Sequence, residues 1–183
     1  MSEKDLSLEG RVVLVAGASR GIGEAAAKRM ARNGAMVICS SRKIADCERV
    51  AEEIKAEGGK ARAMVLHLGE AEHREAAMAS IKQHEGQLDV LVNNGATSPY
   101  FGEAKDTPED AWDKTFDVNV KGPFFLSNLA INTFMKDQGK GSIINVASIN
   151  GMRPGYFQGA YSISKAAVIS LTQVLAQECG HLG

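Results

Sequence analysis

The segment that most restricts the fold of this chain is a short apolar run followed by a glycine turn and a helix-forming segment. Residues 11–16 (RVVLVA) predict a fully buried strand, and residues 24–34 have the composition of a helix that ends at a glycine. Between them lie Gly17, Gly21 and Gly23, with the spacing G-x-x-x-G-x-G. A strand, a glycine turn and a helix in this order predict the first unit of an α/β fold.

The three glycines have separate expected functions. Gly17 lets the chain turn sharply out of the strand, Gly21 lets the backbone approach a pyrophosphate, and Gly23 lets the helix pack against the strand. The helix N-terminus adds free N–H groups and the positive end of a dipole. We therefore predict a dinucleotide site, with a tight turn that binds no ligand as the alternative.

The end of the second strand indicates which dinucleotide would bind. Residues 35–41 predict this strand, and Arg42 follows it without an acidic residue nearby. An acid at this place would bind a ribose 2′-hydroxyl and favour NAD. Arg42 and Arg20 could instead both face a 2′-phosphate. The sequence thus favours NADP over NAD, unless both arginines are simply solvated.

Strands and helices continue to alternate along the chain. The pattern predicts helices over residues 44–57 and 70–84, strands over 61–66, 88–92 and 141–148, and a helix after the last strand. Thr107 and Pro108 are typical of a helix N-cap and first position, and this helix is expected to reach about Lys136 with a bend at Gly122 and Pro123. Strands joined through helices predict a parallel sheet covered on both faces.

A candidate proton-transfer group follows the fifth strand. Tyr161 and Lys165 are four residues apart, so on a helix they share one face. Ser148, at the end of the preceding strand, can be brought beside them. A Tyr and a Lys at this spacing are also common on helices with no function, so the rest of the chain has to decide.

The charge, composition and residue spacing of the chain argue against nucleic-acid binding, membrane insertion, secretion and metal binding. A net charge of −1 gives no electrostatic reason to bind nucleic acid or an anionic membrane. The polar start (MSEKDLSLEG) lacks the apolar core of a signal peptide, and no apolar run approaches the ~20 residues of a membrane span. The three cysteines and four histidines lack metal-like spacing, so we expect reduced thiols, no metal site and a cytoplasmic protein.

Together these motifs resemble the classical short-chain dehydrogenase/reductase family, over essentially the whole chain from about Leu8. The resemblance rests on the glycine turn, the strand–helix alternation, Asn93-Asn94, Asn119-Val120-x-Gly122, Ser148, and Tyr161 with Lys165. It is nearest to NADP-dependent carbonyl or 3-oxoacyl reductases. The resemblance implies one dinucleotide-binding domain over residues 1–183, a Rossmann-type doubly wound sheet of order 3-2-1-4-5, and a homo-oligomer.

The resemblance also implies roles for single residues. Tyr161 would exchange a proton with the oxygen of a ketone, aldehyde or alcohol, and Lys165 would favour its phenolate form and bind the nicotinamide ribose. Ser148 would hold the substrate oxygen, and Asn119 would bind a water linked to Lys165. Implied cofactor contacts are Gly17, Ser19, Arg20, Gly21, Ile22, Gly23, Ser41, Arg42, His67, Leu68, Asn94, Tyr161 and Lys165.

Some positions depart from the family pattern. Ala16 replaces the usual Thr before the glycine turn, and Asn94 is followed by Gly95-Ala96 rather than Ala-Gly. His67 stands where an adenine-contacting Asp is common, so we expect the backbone of His67 and Leu68 to make that contact, or the contact to be lost.

The end of the chain also differs, because family members continue with two more strands and a substrate lid. We therefore expect the fifth strand to form a sheet edge. Two functions follow: an NADP-dependent oxidoreductase that interconverts a carbonyl compound and an alcohol, or a catalytically impaired nucleotide-binding fragment. The first requires turnover that depends on Tyr161, whereas the second binds the nucleotide and reduces no ketone. A third function, that of the longer epimerase and dehydratase families, is disfavoured because those families usually carry the glycine spacing G-x-x-G-x-x-G.

Overall fold

The computed structural model describes residues 6–183. The first five residues of the polar start therefore lie outside the described residues. Five parallel strands form one sheet in the order β3-β2-β1-β4-β5, which confirms the predicted topology. The strands are β1 (Val12–Ala16), β2 (Met36–Ser41), β3 (Lys60–Val65), β4 (Val90–Asn93) and β5 (Ser142–Asn145).

The sheet separates two hydrophobic cores, because successive side chains of a strand point to opposite faces. Val13 and Val15 of β1 belong to one core, and Leu14 belongs to the other. All three are fully buried, as expected for a central strand of a sheet that is covered on both faces.

Helices cover both faces of the sheet. They are α1 (Gly21–Arg32), α2 (Ile44–Ala56), α3 (Ala71–His84), α4 (Glu109–Phe116), α5 (Gly122–Ala130), α6 (Lys136–Gln138) and α7 (Gly159–Cys179). Residues of α1 and α2 pack in one core, whereas residues of α3, α5 and α7 pack in or against the other. Two helices end as predicted, since Gly34 and Gly58 follow α1 and α2 with φ of +98° and +83°.

The helical region before β5 differs in detail from the prediction. Pro108 rather than Thr107 is the N-cap of α4, and no side chain caps this end. The path then continues through a π-helical turn (Asp117–Lys121) into α5, and through a second one (Ile131–Met135) into α6. The expected bend at Gly122 and Pro123 thus coincides with the end of a π turn, a place where the regular hydrogen-bond ladder is already interrupted.

Strand β5 is shorter and more exposed than the sequence predicts. It ends at Asn145 rather than Ser148, and Ile144 is 43% exposed. The prediction of a buried strand was wrong because apolar composition alone does not tell a central strand from an edge strand. Its position at the sheet edge agrees with the expectation drawn from the resemblance.

None of the helices within residues 6–183 combines the length and the apolar character that crossing a bilayer requires.

Candidate active site

A cleft of about 450 Å³ lies at the carboxyl end of the sheet, where open parallel sheets bind ligands. Ten of the thirteen predicted cofactor residues line it: Gly17, Ser19, Arg20, Gly21, Ile22, Ser41, Arg42, His67, Leu68 and Asn94. Gly23, Tyr161 and Lys165 are not part of its lining. Thr97 and Val118 line it as well, although no sequence motif singled them out.

The glycine turn is held to the sheet through backbone groups. The N–H groups of Gly17 and Ala18 both donate to the Ser40 carbonyl, at 2.8 and 2.9 Å. The Asn94 side chain donates to the Gly17 carbonyl at 2.8 Å, so this predicted cofactor residue also fixes the turn. A Cβ on Gly23 would overlap that carbonyl oxygen, which agrees with the close helix–strand packing predicted for this glycine.

The N-terminus of α1 is open toward a ligand. No side chain caps it, and the N–H of Glu24 makes a long 3.5 Å bond to the Arg20 carbonyl. Gly21 has φ of +60° and open space where a Cβ would stand. The first N–H groups of a helix need partners from outside it, and a phosphate is a suitable one. The turn therefore fits a nucleotide phosphate.

Two arginines present cationic groups to the same cleft, Arg42 just after β2 and Arg20 at the start of α1. Arg20 and Arg42 are exposed, and neither makes a salt bridge within residues 6–183. Ser41 is occupied locally instead. Its hydroxyl donates to the Lys43 carbonyl at 2.9 Å and accepts from Cys47 Sγ at 3.2 Å. The two guanidinium groups thus remain available for an anion, whereas the Ser41 proton is already used.

The segment after β3 uses its backbone groups internally. The N–H of His67 donates to Nδ1 of His73 (3.2 Å), and the carbonyl of Leu68 accepts from Nη1 of Arg74 (2.5 Å). The Nδ1 atom of His67 is buried and has no hydrogen-bond partner within the described residues. Desolvation lowers the pKa of His67, which favours its neutral form. The nearest charged atom to this Nδ1 is Oε1 of Glu70, at 3.6 Å, and the expected contact of the His67 and Leu68 backbone with adenine stays a prediction.

Helix α7 carries Tyr161 and Lys165 on one face, as the spacing predicts. The Lys165 side chain is 3% exposed, and its ammonium donates to the Val146 carbonyl at 2.7 Å, just beyond β5. This ammonium lies 5.8 Å from the centroid of the Tyr161 ring. Burial lowers the pKa of Lys165, because desolvation disfavours its charged form.

Ser148 lies in the segment that docks on α7. Its Oγ accepts from the N–H of Asn150 at 3.2 Å, so its proton remains free to donate. The Asn150 side chain donates to the side chain of Gln158, the residue before α7. A Cβ on Gly151 would stand 2.7 Å from the Lys165 carbonyl, so this backbone packs directly against α7. These contacts hold the Ser148 segment against the first turns of that helix.

Asn119 lies in the first π turn and is 1% exposed. Its Oδ1 accepts from the N–H of Thr97 (2.8 Å), and its Nδ2 donates to the Thr97 carbonyl (2.9 Å) and to Oγ of Ser164 (3.0 Å). Both amide protons are therefore engaged. The side chain ties the cleft wall at Thr97 to the residue before Lys165, and the expected contact with a water stays a prediction.

Exposed aromatic residues stand beside this group. Phe101 and Tyr156 are 69% and 88% exposed, so they do not cover the core. Phe101 packs edge-on against Phe157 at 5.9 Å, and the N–H of Gly102 donates to the Phe157 carbonyl. The loop before α4 and the loop before α7 are therefore joined at Phe157. Within residues 6–183, no three His, Cys, Asp or Glu side chains are grouped closely enough to hold a metal ion.

Known proteins resemble the chain both in sequence and in fold. Dehydrogenase/reductase SDR family member 4 from Bos taurus is 41% identical over 171 residues, which cover 93% of this chain and 61% of the relative. Its counterpart in Homo sapiens is 38% identical and is covered to 63%. The chain thus spans less than two thirds of the length of these curated relatives.

Solved structures give the same picture. A gluconate 5-dehydrogenase from Burkholderia cenocepacia J2315, in complex with NADP and tartrate, superposes with a TM-score of 0.93 at 26% identity, over 100% of this chain and 71% of its own. A metagenomic short-chain oxidoreductase in complex with NADP superposes at 0.88 with 32% identity, over 96% and 79%. The family model described as short chain dehydrogenase matches residues 11–183. Because this match includes every strand of the sheet and all the candidate site residues, the chain belongs to the short-chain dehydrogenase family.

Proposed function

We propose that the chain is an NADP-dependent oxidoreductase that interconverts a ketone or aldehyde and an alcohol, with Tyr161 as the general acid and base. The observation that carries this proposal is the buried ammonium of Lys165, 5.8 Å from the Tyr161 ring. Burying a cation is costly, and the Val146 carbonyl offsets that cost in part. A cation beside a phenol stabilises the phenolate that remains after proton transfer, which gives this costly arrangement a use.

The nucleotide would be held by the cleft at the carboxyl end of the sheet. The uncapped N-terminus of α1 and the open space at Gly21 fit its phosphates. His67 and Leu68 line the same cleft, where they would lie beside its base. When bound, the nicotinamide supplies or accepts the hydride, and the protein has to orient the reactants and move the proton.

Each catalytic residue would act at a stated atom. The Tyr161 oxygen gives its proton to the carbonyl oxygen during reduction and takes it back during oxidation. The Ser148 hydroxyl, whose proton is free, donates to the same substrate oxygen. Asn119 is a positioning residue, because it joins Thr97 to Ser164 beside Lys165.

The preference for NADP over NAD rests on Arg20 and Arg42. Both line the cleft, and β2 ends without a carboxylate that would bind a ribose 2′-hydroxyl. A guanidinium fork suits a phosphate dianion. Two related structures that contain NADP are consistent with this preference.

The proposed partners are a small carbonyl or alcohol substrate and further copies of the same chain. A self-associating state would cover the apolar side chains that α4, α5 and α7 leave exposed, including Trp112, Phe124 and Val174.

All three cysteines are free thiols, which supports the proposed cytoplasmic location.

The test combines nucleotide binding with turnover. Wild type and Tyr161→Phe are titrated with NADPH and with NADH by nicotinamide fluorescence, and NADPH oxidation is followed with diacetyl, a small activated diketone. We expect tighter binding of NADPH, similar affinity in both proteins, and a loss of turnover of about 1000-fold or more in the variant. Undiminished turnover in the variant would exclude the role of Tyr161.

Two further outcomes bear on the rest of the proposal. Binding of NADPH by wild type without reduction of any activated ketone would favour a nucleotide-binding module. Equal affinity for the two nucleotides would remove the proposed role of Arg20 and Arg42.

A further inference from the structure

A ring of charged side chains joins α1 to α2 next to the glycine turn. Lys28 contacts Glu24 at 2.6 Å and Glu53 at 2.5 Å, and Arg49 contacts the same two carboxylates at 2.8 and 2.7 Å. Cations and anions therefore alternate around the ring. Hydrogen bonds from Arg49 and Lys28 lower the pKa of Glu24 to about 2, so this carboxylate stays ionised at neutral pH.

Arg49 extends this ring to the backbone of the glycine turn. Its Nη2 donates both to the Ser19 carbonyl (3.1 Å) and to Oε2 of Glu24 (2.8 Å). Ser19 lies in the middle of the turn, and Glu24 lies in the first turn of α1. One guanidinium thus bonds to the turn, at Ser19, and to α1, at Glu24. A planar guanidinium can hold several oxygens at fixed directions, which a lysine ammonium cannot do in the same way.

Arg49 does not line the nucleotide cleft, so any effect on the nucleotide has to pass through the turn. The turn ends in the uncapped N–H groups of α1, whose direction decides whether they can meet a phosphate. A Ser19 carbonyl that is held by Arg49 cannot rotate toward the cleft and present its negative end to the phosphate. A turn ordered before binding also loses less conformational freedom when the nucleotide arrives.

We propose that Arg49 is a positioning residue for the nucleotide phosphates, which fixes the glycine turn through Ser19 and Glu24. This inference rests on the proposed nucleotide-binding function. Arg49 would thus contribute to nucleotide affinity although it is exposed on α2 and lies outside the cleft.

The chain contains a matched control for this proposal. Arg32 of α1 pairs with Glu57, just after α2, through bonds of 2.8 and 3.2 Å. This pair links the same two helices with the same types of group, but it lies at the other end of α1 from the turn. Arg32→Ala therefore removes an interhelical ion pair without touching the turn.

The experiment compares wild type, Arg49→Ala, Arg49→Lys and Arg32→Ala in the 183-residue chain. Each protein is titrated with NADPH by nicotinamide fluorescence and unfolded in urea. We expect Arg49→Ala to raise the Kd for NADPH about tenfold and Arg32→Ala to leave it unchanged, while both lower the urea midpoint. Arg49→Lys should restore most of the urea midpoint but little of the affinity, because one ammonium cannot span Ser19 and both carboxylates. A Kd for Arg49→Ala within about twofold of the value for Arg32→Ala would overturn the proposal.

Backbone order parameters from ¹⁵N relaxation of the nucleotide-free proteins decide the question independently of binding. The N–H groups of residues 19–24 should have lower order parameters in Arg49→Ala than in wild type and Arg32→Ala, and equal values would contradict the ordering of the turn. If wild type binds no NADPH, the proposed function fails, whereas the order parameters still establish or refute the hold of Arg49 on the turn.

Discussion

Two glycines of the turn are needed for different physical reasons. Gly21 has φ of +60° but open space around it, so an added Cβ would meet backbone strain and no neighbour. Gly23 has an ordinary φ, but a Cβ there would overlap the Gly17 carbonyl and stand 2.6 Å from Nδ2 of Asn94. Strain at Gly21 is local to one residue, whereas a side chain at Gly23 pushes α1 away from β1.

Alanine substitutions should separate these two effects. Gly21→Ala should lower the free energy of unfolding by about 1 kcal/mol, the usual cost of a left-handed conformation for a residue with a Cβ. Gly23→Ala should lower it by about 2 kcal/mol, since relief requires a shift of the backbone as well as of Asn94. Urea denaturation of the two variants and wild type measures the difference. Equal losses would mean that the packing of α1 against the turn relaxes freely.

At the level of single residues, the sequence predicts local motifs but not contacts between residues that are distant in the chain. The glycine turn could be predicted because its spacing is local, and Tyr161 and Lys165 because a helix brings residues four apart onto one face. The contact of Arg49 with Ser19 spans 30 residues, and no periodicity indicates it. The same holds for His73 and Arg74, which bind the backbone that was expected to contact adenine.

For the secondary-structure elements as well, the sequence predicts local features and misses those that depend on distant contacts. The order of helices and strands follows from hydrophobic periodicity and from glycine stops, which are properties of the chain itself. The length and exposure of β5 depend on what lies beside it, so the prediction from the sequence made the strand too long and too buried. Hydrophobic periodicity likewise does not indicate the π turn at Asn119, whose amide bonds to Thr97 and Ser164, outside its own helical turn.

The docking of α1 on α2 should depend on pH through Glu24. This side chain is 19% exposed, and its pKa is lowered from 4.5 to about 2 by hydrogen bonds from Arg49 and Lys28. A carboxyl whose pKa is lower in the folded state stabilises that state fully above its unfolded pKa. This contribution is then lost as the pH falls from about 4.5 to about 2.

Glu24→Gln should therefore be less stable than wild type at neutral pH, and the difference should shrink as the pH falls through that window. Urea unfolding at a series of pH values measures it. Glu52→Gln is a suitable control, because Glu52 is 71% exposed and pairs with Lys55 on its own helix. A gap between wild type and Glu24→Gln that stays constant with pH would mean that the lost stability is not due to the charge of Glu24.

At the scale of the whole molecule, one patch of exposed apolar side chains lies where α5 and α7 meet. Phe124 of α5 and Val174 of α7 are 37% and 40% exposed, and they line a depression of about 390 Å³ together with Phe116, Val120, Phe125 and Leu171. The charged pair of Lys121 and Asp117 borders it. A contiguous apolar face with a polar border is typical of an interaction site.

If two copies meet through this face about a two-fold axis, each residue on it enters the interface twice. Val174→Asp would then place two carboxylates in an apolar contact, and the protein should sediment as a monomer at concentrations where wild type associates. Val65→Asp makes the same change at a residue of β3 that is 41% exposed on the opposite edge of the sheet, so it should sediment like wild type. Association that survives Val174→Asp would rule out this helical face as the contact. The edge of β5 could then be tested in the same way with Ile144→Asp, because Ile144 is the exposed apolar residue of that strand.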